Sequence, residues 1–485
     1  MKNKRVFVSG NFYLLHPGHL RFFNFAAELG DELIIAVDPV LPSLDLPNVQ
    51  DRIEAIKSLG IGHRVLPIEG GLAETLRRLR PAIVVKGKEY ADRHNPEESL
   101  VSEWGGKLVF SSGESTYFED SLLARVRGFE RVEPVRVDDF LKRNHCDNEK
   151  LQLVMSKFAS LNLIVIGDTI VDEYIDSEVL GMSREDPTLV ISPRRSKRFL
   201  GGAGIVAAHA AQLGAKVNFV SIVGDDSSAS YVKKELEGYR VEHQLLVDES
   251  RPTTLKTRYR ADGRTMFRVS HLRQHEASPT FQRKLIEAFA SKAGSCQICL
   301  FSDFNYGCLP GPVFEAAIQT AKANSLFIAA DSQSSSQIGD ISRYQHVDLV
   351  TPTEHEARLA LRDQLSGLAS IAPTLLEHLN GERAILTLGR SGLIAIERQT
   401  TKSETFRSDS LPALNRNPVD VAGAGDSLLV VSAMALKLGA SLFEAAFLGS
   451  IAAAIQTSRI GNLPIKLSEL SAGVADYFQS VSRQS

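Results

Sequence analysis

Short runs rich in β-branched residues alternate with stretches of helical spacing twice over, and this alternation constrains the fold of the 485-residue chain more than any other property. The first series places strands at 5–9, 32–37, 65–68, 82–86 and 107–110, with helices at 18–29 and 50–59 among them. Parallel neighbours need a crossover between them, usually a helix, so such a series implies an α/β fold with a parallel sheet flanked by helices. A second series opens at 162–167 and runs to the end, closing with alanine-rich helices at 425–438 and 442–458. Within it, 253–269 alternates like exposed antiparallel strands and is expected to form a small β lid. The segment between the series is charged, lacks long apolar runs and ends in an expected helix, which divides the chain into 1–132, a linker at 133–158, and 159–485.

Composition narrows the ligands. Hydrophobic residues make up 43% and charged residues 23%, as in ordinary globular chains, and the net charge of −3 argues against nucleic acid or an anionic membrane as partner. No apolar run approaches the roughly 20 residues of a membrane span, and the chain passes from Met1 to Arg5 straight into a strand, so a cytoplasmic protein acting on small molecules is expected. The four cysteines are too few for a disulfide framework, and the one close pair, Cys296 and Cys299, reads as buried free thiols.

Two turns carry chemistry. The first follows the opening strand as Gly10-Asn-Phe12-Tyr13-Leu-Leu-His16-Pro-Gly18-His19. A strand that ends in a glycine-bearing turn and opens a helix aims N–H groups at an anion. His16 and His19 flank that helix start and can stabilise charge developing on an α-phosphate, while Gly18 leaves space for a nucleotide against the backbone. Lys86, at the end of the fourth strand, has the charge to meet a phosphate.

This turn resembles that of the nucleotidyltransferase superfamily, in the branch of the cytidylyltransferases and of the adenylyltransferase half of the bifunctional heptose-phosphate kinase/adenylyltransferases, which make ADP-heptose. The resemblance runs over 5–127 and implies a Rossmann-like domain. It also implies nucleotide-binding roles for Phe12, Gly18, Arg52, Lys86, Gly87, Ser115 and Thr116. Two departures stand out: Tyr13 replaces the usual Asp, and the loop after the second strand, 41–47, carries no lysine for the triphosphate.

The second turn is Asp420-Val-Ala-Gly423-Ala424-Gly425-Asp426. Gly423, Ala424 and Gly425 can form an anion hole at a helix start, and Asp426 sits where a carboxylate can take a proton from an attacking hydroxyl. Phosphoryl transfer asks for little else than positioning, charge neutralisation and such a base. Residues 162–475 resemble the ribokinase-like (PfkB) sugar kinases, and come closest to the kinase half of the same heptose enzymes.

That resemblance implies acceptor contacts from Asp168, Asp172, Gly201, Gly202, Arg258 and Asp303. It further implies nucleotide contacts from Thr387, Gly389 and Gly392, and a water-mediated magnesium role for Glu356. Here too there are departures: Ile205, Tyr306 and Thr353 stand where those kinases carry Asn, Lys and Asn, and Asp331-Ser332-Gln333 lacks a lysine.

Together the two halves imply an enzyme that phosphorylates a sugar phosphate with ATP and then joins a sugar 1-phosphate to a nucleotide, from ATP or CTP, with Mg²⁺ in both halves. The domain order is the reverse of the usual heptose fusion. Relatives also imply a homodimer through the kinase domain. Two further readings remain open at this stage: one active half beside a vestigial one, and a sensor without turnover.

Overall fold

The computed structural model describes residues 4–12, 17–39, 48–87, 95–110, 137–183, 185–186, 188–261, 264–333, 339–399, 406–415 and 417–482. The chain divides into two compact units, Met1–Arg131 and Val132–Ser485.

The first unit is built on a five-stranded parallel sheet of β1 (Arg5–Gly10), β2 (Glu32–Val37), β3 (Arg64–Pro67), β4 (Ile83–Lys86) and β5 (Lys107–Phe110), in the order β3-β2-β1-β4-β5. Alternate residues serve opposite faces. Val6, Val8 and Ile35 pack with Phe23 and Ile53, whereas Phe7, Ile34 and Val84 pack with Leu76 and Val101. Helices cover both faces, which is why the strands read as continuous apolar runs. Connections leave β1 and β4 on opposite sides of the sheet, and the crevice at the carboxyl ends of two such strands is where open α/β sheets hold ligands.

The second unit carries a nine-stranded sheet. Its members are β6 (Asn162–Gly167), β9 (Lys216–Val223), β10 (Glu242–Val247), β13 (Ile298–Asp303), β14 (Phe327–Ser332), β15 (Leu349–Val350), β16 (Arg383–Thr387), β17 (Leu393–Arg398) and β18 (Phe406–Leu411). The order is β10-β9-β6-β13-β14-β15-β16-β17-β18, parallel up to β16 and antiparallel beyond it. A separate four-stranded sheet, β12 (Arg264–His271), β11 (Thr254–Ala261), β7 (Thr169–Met182) and β8 (Leu189–Gly202), forms the lid.

Two features differ from the sequence reading. The lid is twice as large as the 253–269 pattern suggests, because β7 and β8, each of 14 residues, form a hairpin whose inner half pairs with β11 through β7. Both faces of its outer half meet solvent, so no apolar alternation announces it. The described part of the expected linker is core: Val137, Phe140, Leu151, Met155 and Phe158 are buried with the helices that close the chain, and Arg143 makes two hydrogen bonds to Asp409 at 2.9 and 3.1 Å. The helix expected at the end of this segment is Asn148–Ser156, and charged residues between single apolar positions hid a second short one, Asp138–Arg143. Among the described residues no helix is long and apolar enough to cross a membrane.

Candidate functional site

In the first unit, Gly10 ends β1 where a Cβ would stand 2.8 Å from the Phe12 ring. Phe12 takes a left-handed φ of 47° and buries its ring edge-on against His19 and Phe23, with centroids 5.1 and 5.2 Å away. The Phe12 ring, which the resemblance implies as a nucleotide contact, is core and forms the wall on which His19 leans. Arg52 is 2% exposed, and its guanidinium donates to the carbonyls of Asn11 (2.6 Å) and Asp38 (2.9 Å), tying together the loops that leave β1 and β2. Lys86 reaches Glu97 at 2.9 Å. Gly18 and His19 open the helix Pro17–Ala27, and Gly87 follows β4, so these residues belong to the switch-point edge. His16, Tyr13, Ser115, Thr116 and the loop 41–47 lie outside the described residues.

In the second unit, Asp426 occupies the first turn of the helix Ala424–Lys437 and is buried. The turn before it requires glycine at one point, since Gly423 has a φ of 76° and a Cβ there would lie 2.5 Å from Asn462 Oδ1. Asp420 braces the turn by accepting from the Ala422 N–H at 3.1 Å with one oxygen, and from Gly461 N (3.0 Å) and the Tyr174 hydroxyl (2.7 Å) with the other. Burial pushes Asp426 up to about 7; the Asp172 carboxylate adds to this, while Lys256 and a hydrogen bond from Gln333 act against it.

Asp172 lies on the lid strand β7. It pairs with Arg258 of β11 and accepts from Asn462 Nδ2 at 3.2 Å. Gly201, paired with Ile170 on the neighbouring β8, is where a Cβ would come within 2.5 Å of Asp172 Oδ2, so the glycine clears the carboxylate's side. Gly202 has a φ of 56° and leads into the helix Ala203–Gln212, whose Ile205 is buried core and turned away from the site. Lys256, two residues before Arg258, lies over the rings of Phe304 and Tyr306 at 4.9 and 5.0 Å.

Asp168 and Asp303, which the resemblance implies as acceptor contacts, are both engaged by the protein frame. Asp168 accepts from the backbone N–H groups of Phe304 (2.8 Å), Tyr306 (3.2 Å) and Cys308 (3.1 Å), shaping the loop after β13. Burial and the nearby Asp303 push it up to about 6, with those three amides pulling the other way. Asp303 accepts from Asn305 N, Arg343 and the Tyr344 hydroxyl. Both carboxylates hold the frame, and Asp172 faces the site.

Across the sheet edge, a cavity of about 390 Å³ is lined by Thr353, Glu354, His355, Thr387 and Gly389. Thr387 ends β16 and bridges to Thr353; Gly392, with a φ of 97°, turns the chain into β17 without lining the cavity. Glu356 closes a capping box: its Oε2 accepts from Thr353 N at 2.8 Å while Thr353 Oγ1 accepts from Glu356 N at 3.2 Å. Among the described residues no three metal-binding side chains converge. Yet burial together with Glu356 and Asp426 pushes Asp331 well above the ordinary carboxylate range, a charge balance that a cation carried in with a nucleotide would relieve.

Gln333 and Asn462 complete the site and carry no sequence signal, since Gln333 attracts notice only for the lysine it is not. Each becomes visible only once the fold sets the end of β14 and the loop after the helix Leu442–Thr457 beside the catalytic turn.

Residues 160–465 match the family model described as pfkB family carbohydrate kinase, and residues 7–107 match that described as cytidylyltransferase-like. The chain is 30% identical over 327 residues to the bifunctional protein HldE of Desulfatibacillum aliphaticivorans, covering 66% of this chain and 65% of the relative. It is also 30% identical over 326 residues to the protein of the same name from Caulobacter vibrioides, covering 65% and 64%. It thus spans just under two thirds of the length of these curated relatives. Of solved structures, Escherichia coli phosphofructokinase-2 in complex with substrates and products superposes with a TM-score of 0.54 at 15% identity, covering 66% of this chain and 99% of that one. Arabidopsis thaliana ribokinase complexed with ribose and ATP gives 0.50 at 18%, covering 65% and 98%. These two share the fold of the second unit, and with the match over 160–465 they establish that the chain belongs to the pfkB family of carbohydrate kinases, preceded by a cytidylyltransferase-like domain.

Proposed function

We propose that the second unit transfers the γ-phosphoryl group of ATP to a hydroxyl of a sugar phosphate, with Asp426 as the base. One observation carries the reading: a buried carboxylate, held near neutral pH, in the first turn of a helix that opens on a left-handed glycine. The acceptor lies under the lid against Asp172, with Arg258 and Lys256 for its phosphate. ATP lies across the sheet edge in the cavity beside Thr387 and Gly389. Asp426 takes the hydroxyl proton, the oxygen bonds to the γ-phosphorus, the bond from that phosphorus to the β-phosphate oxygen breaks, and ADP leaves. The N–H groups of Gly423, Ala424 and Gly425 receive the charge on the migrating group. Magnesium bound to the nucleotide neutralises phosphate charge, with Asp331 and Glu356 as its outer anionic neighbours.

For the first unit we propose nucleotidyl transfer from ATP or CTP to a sugar 1-phosphate, supported by His19 at the switch-point edge and by the names of the HldE relatives. A second reading, in which this unit binds without turning over, is favoured by the ion pair that already engages Lys86. The outer β7–β8 hairpin exposes Val179, Leu180, Met182 and Leu189, which supports a homodimer formed through the lid. Mass spectrometry of products from ATP, CTP and a panel of heptose and hexose phosphates tests both activities. The reading expects one product heavier by a phosphoryl group and one nucleotide-sugar; neither product from any acceptor refutes it, and a phosphorylated product alone selects the second reading.

A further inference from the structure

Gln333 follows β14 directly, and its backbone N–H is anchored on the carbonyl of Asp303 at 2.9 Å. From there its carboxamide nitrogen reaches Asp331 Oδ2 at 3.0 Å and Asp426 Oδ1 at 3.1 Å. An amide nitrogen carries two protons and no acceptor, so one group serves both carboxylates. With both carboxylates ionised, turning the amide over would set its oxygen against two charged oxygens, which favours the orientation with nitrogen toward them. Asp426 Oδ2 takes no hydrogen bond among the described residues.

We propose that Gln333 is the positioning residue of the base, clamping Asp426 by Oδ1 to its neighbour Asp331 so that Oδ2 is the oxygen presented to the acceptor hydroxyl. The proposal rests on the reading of Asp426 as base. A neutral clamp matters here because of what else faces Asp426: Asp172 from β7 and Asp331 from β14 repel its charge, and Lys256 from β11 attracts it. An apolar residue in place of Gln333 would free the carboxylate to rotate and leave it among like charges. A lysine would hold it and favour its ionised form. Gln333 holds the carboxylate through one neutral hydrogen bond and adds no charge, so the base is oriented while still able to accept a proton near neutral pH.

The test compares Gln333→Leu and Gln333→Lys in the full chain through the pH dependence of kcat/KM for phosphorylation. Gln333→Leu should lower kcat by about tenfold, with both KM values within about twofold, and move the acid limb to higher pH. Gln333→Lys should move the same limb to lower pH. General damage to the fold cannot shift it in opposite directions. Acid limbs that coincide with that of the unaltered chain in both variants would overturn the assignment. Asp426→Asn is run alongside: if it keeps full turnover the base reading itself has failed, whereas an inactive Asp426→Asn with unmoved limbs in the Gln333 variants refutes the clamp alone.

Discussion

Because burial raises Asp426 to about 7, the folded chain holds a proton there at pH values where the unfolded chain has released it. The stability this carboxyl contributes is fully present below its ordinary pKa and is lost as pH rises through about 7. Asp426→Asn should therefore cut phosphorylation by at least about 10³-fold and raise the melting temperature by several degrees at pH 8, with a smaller gain at pH 5; calorimetry at the two pH values checks the sign. Gly423→Ala tests the turn instead of the base. A Cβ would crowd Asn462 in a backbone conformation that suits glycine, so kcat should fall on the order of 10²-fold in steady-state assays. The glycine turn before Asp426 was legible in sequence as a helix start because its geometry is local. The carboxylates were only half legible: Asp168 follows β6, Asp303 ends β13 and Asp172 lies within β7. What separates them is which distant groups face them: amides 136 and 138 residues along the chain for Asp168, and Asn462, 290 residues away, for Asp172.

Helices and strands were most legible where apolar residues run together. The strands β2, β5 and β6 coincide with the sequence expectation, and the helices expected at 425–438 and 442–458 shift by a single residue. The β7–β8 hairpin and the helix Asp138–Arg143 were illegible for the same physical reason, since neither presents a continuous apolar stripe. A chain beginning at Asn162 would expose the surface covered by Phe140, Leu151 and Phe158. It should be recovered as aggregate, whereas one beginning at Val132 stays monodisperse in gel filtration. On the lid, Arg258→Ala leaves Asp172 without its cation. The KM for the acceptor should rise about tenfold while that for ATP stays put, as initial-rate kinetics with each substrate varied would show.

As a whole the molecule consists of two units, each with its own sheet and core. Excised separately, Val132–Ser485 should retain the phosphorylation rate of the full chain to within about twofold. Met1–Arg131 should retain whatever nucleotidyl transfer the full chain has, pyrophosphate release being the readout. One feature of the larger unit bears on how it fails. From Asp426 to Ala435 every residue of the helix Ala424–Lys437 is buried, so the proposed base is mounted on interior scaffolding instead of a surface loop. Thermal inactivation should then track global melting closely, with no cooler interval in which an intact fold has already gone silent.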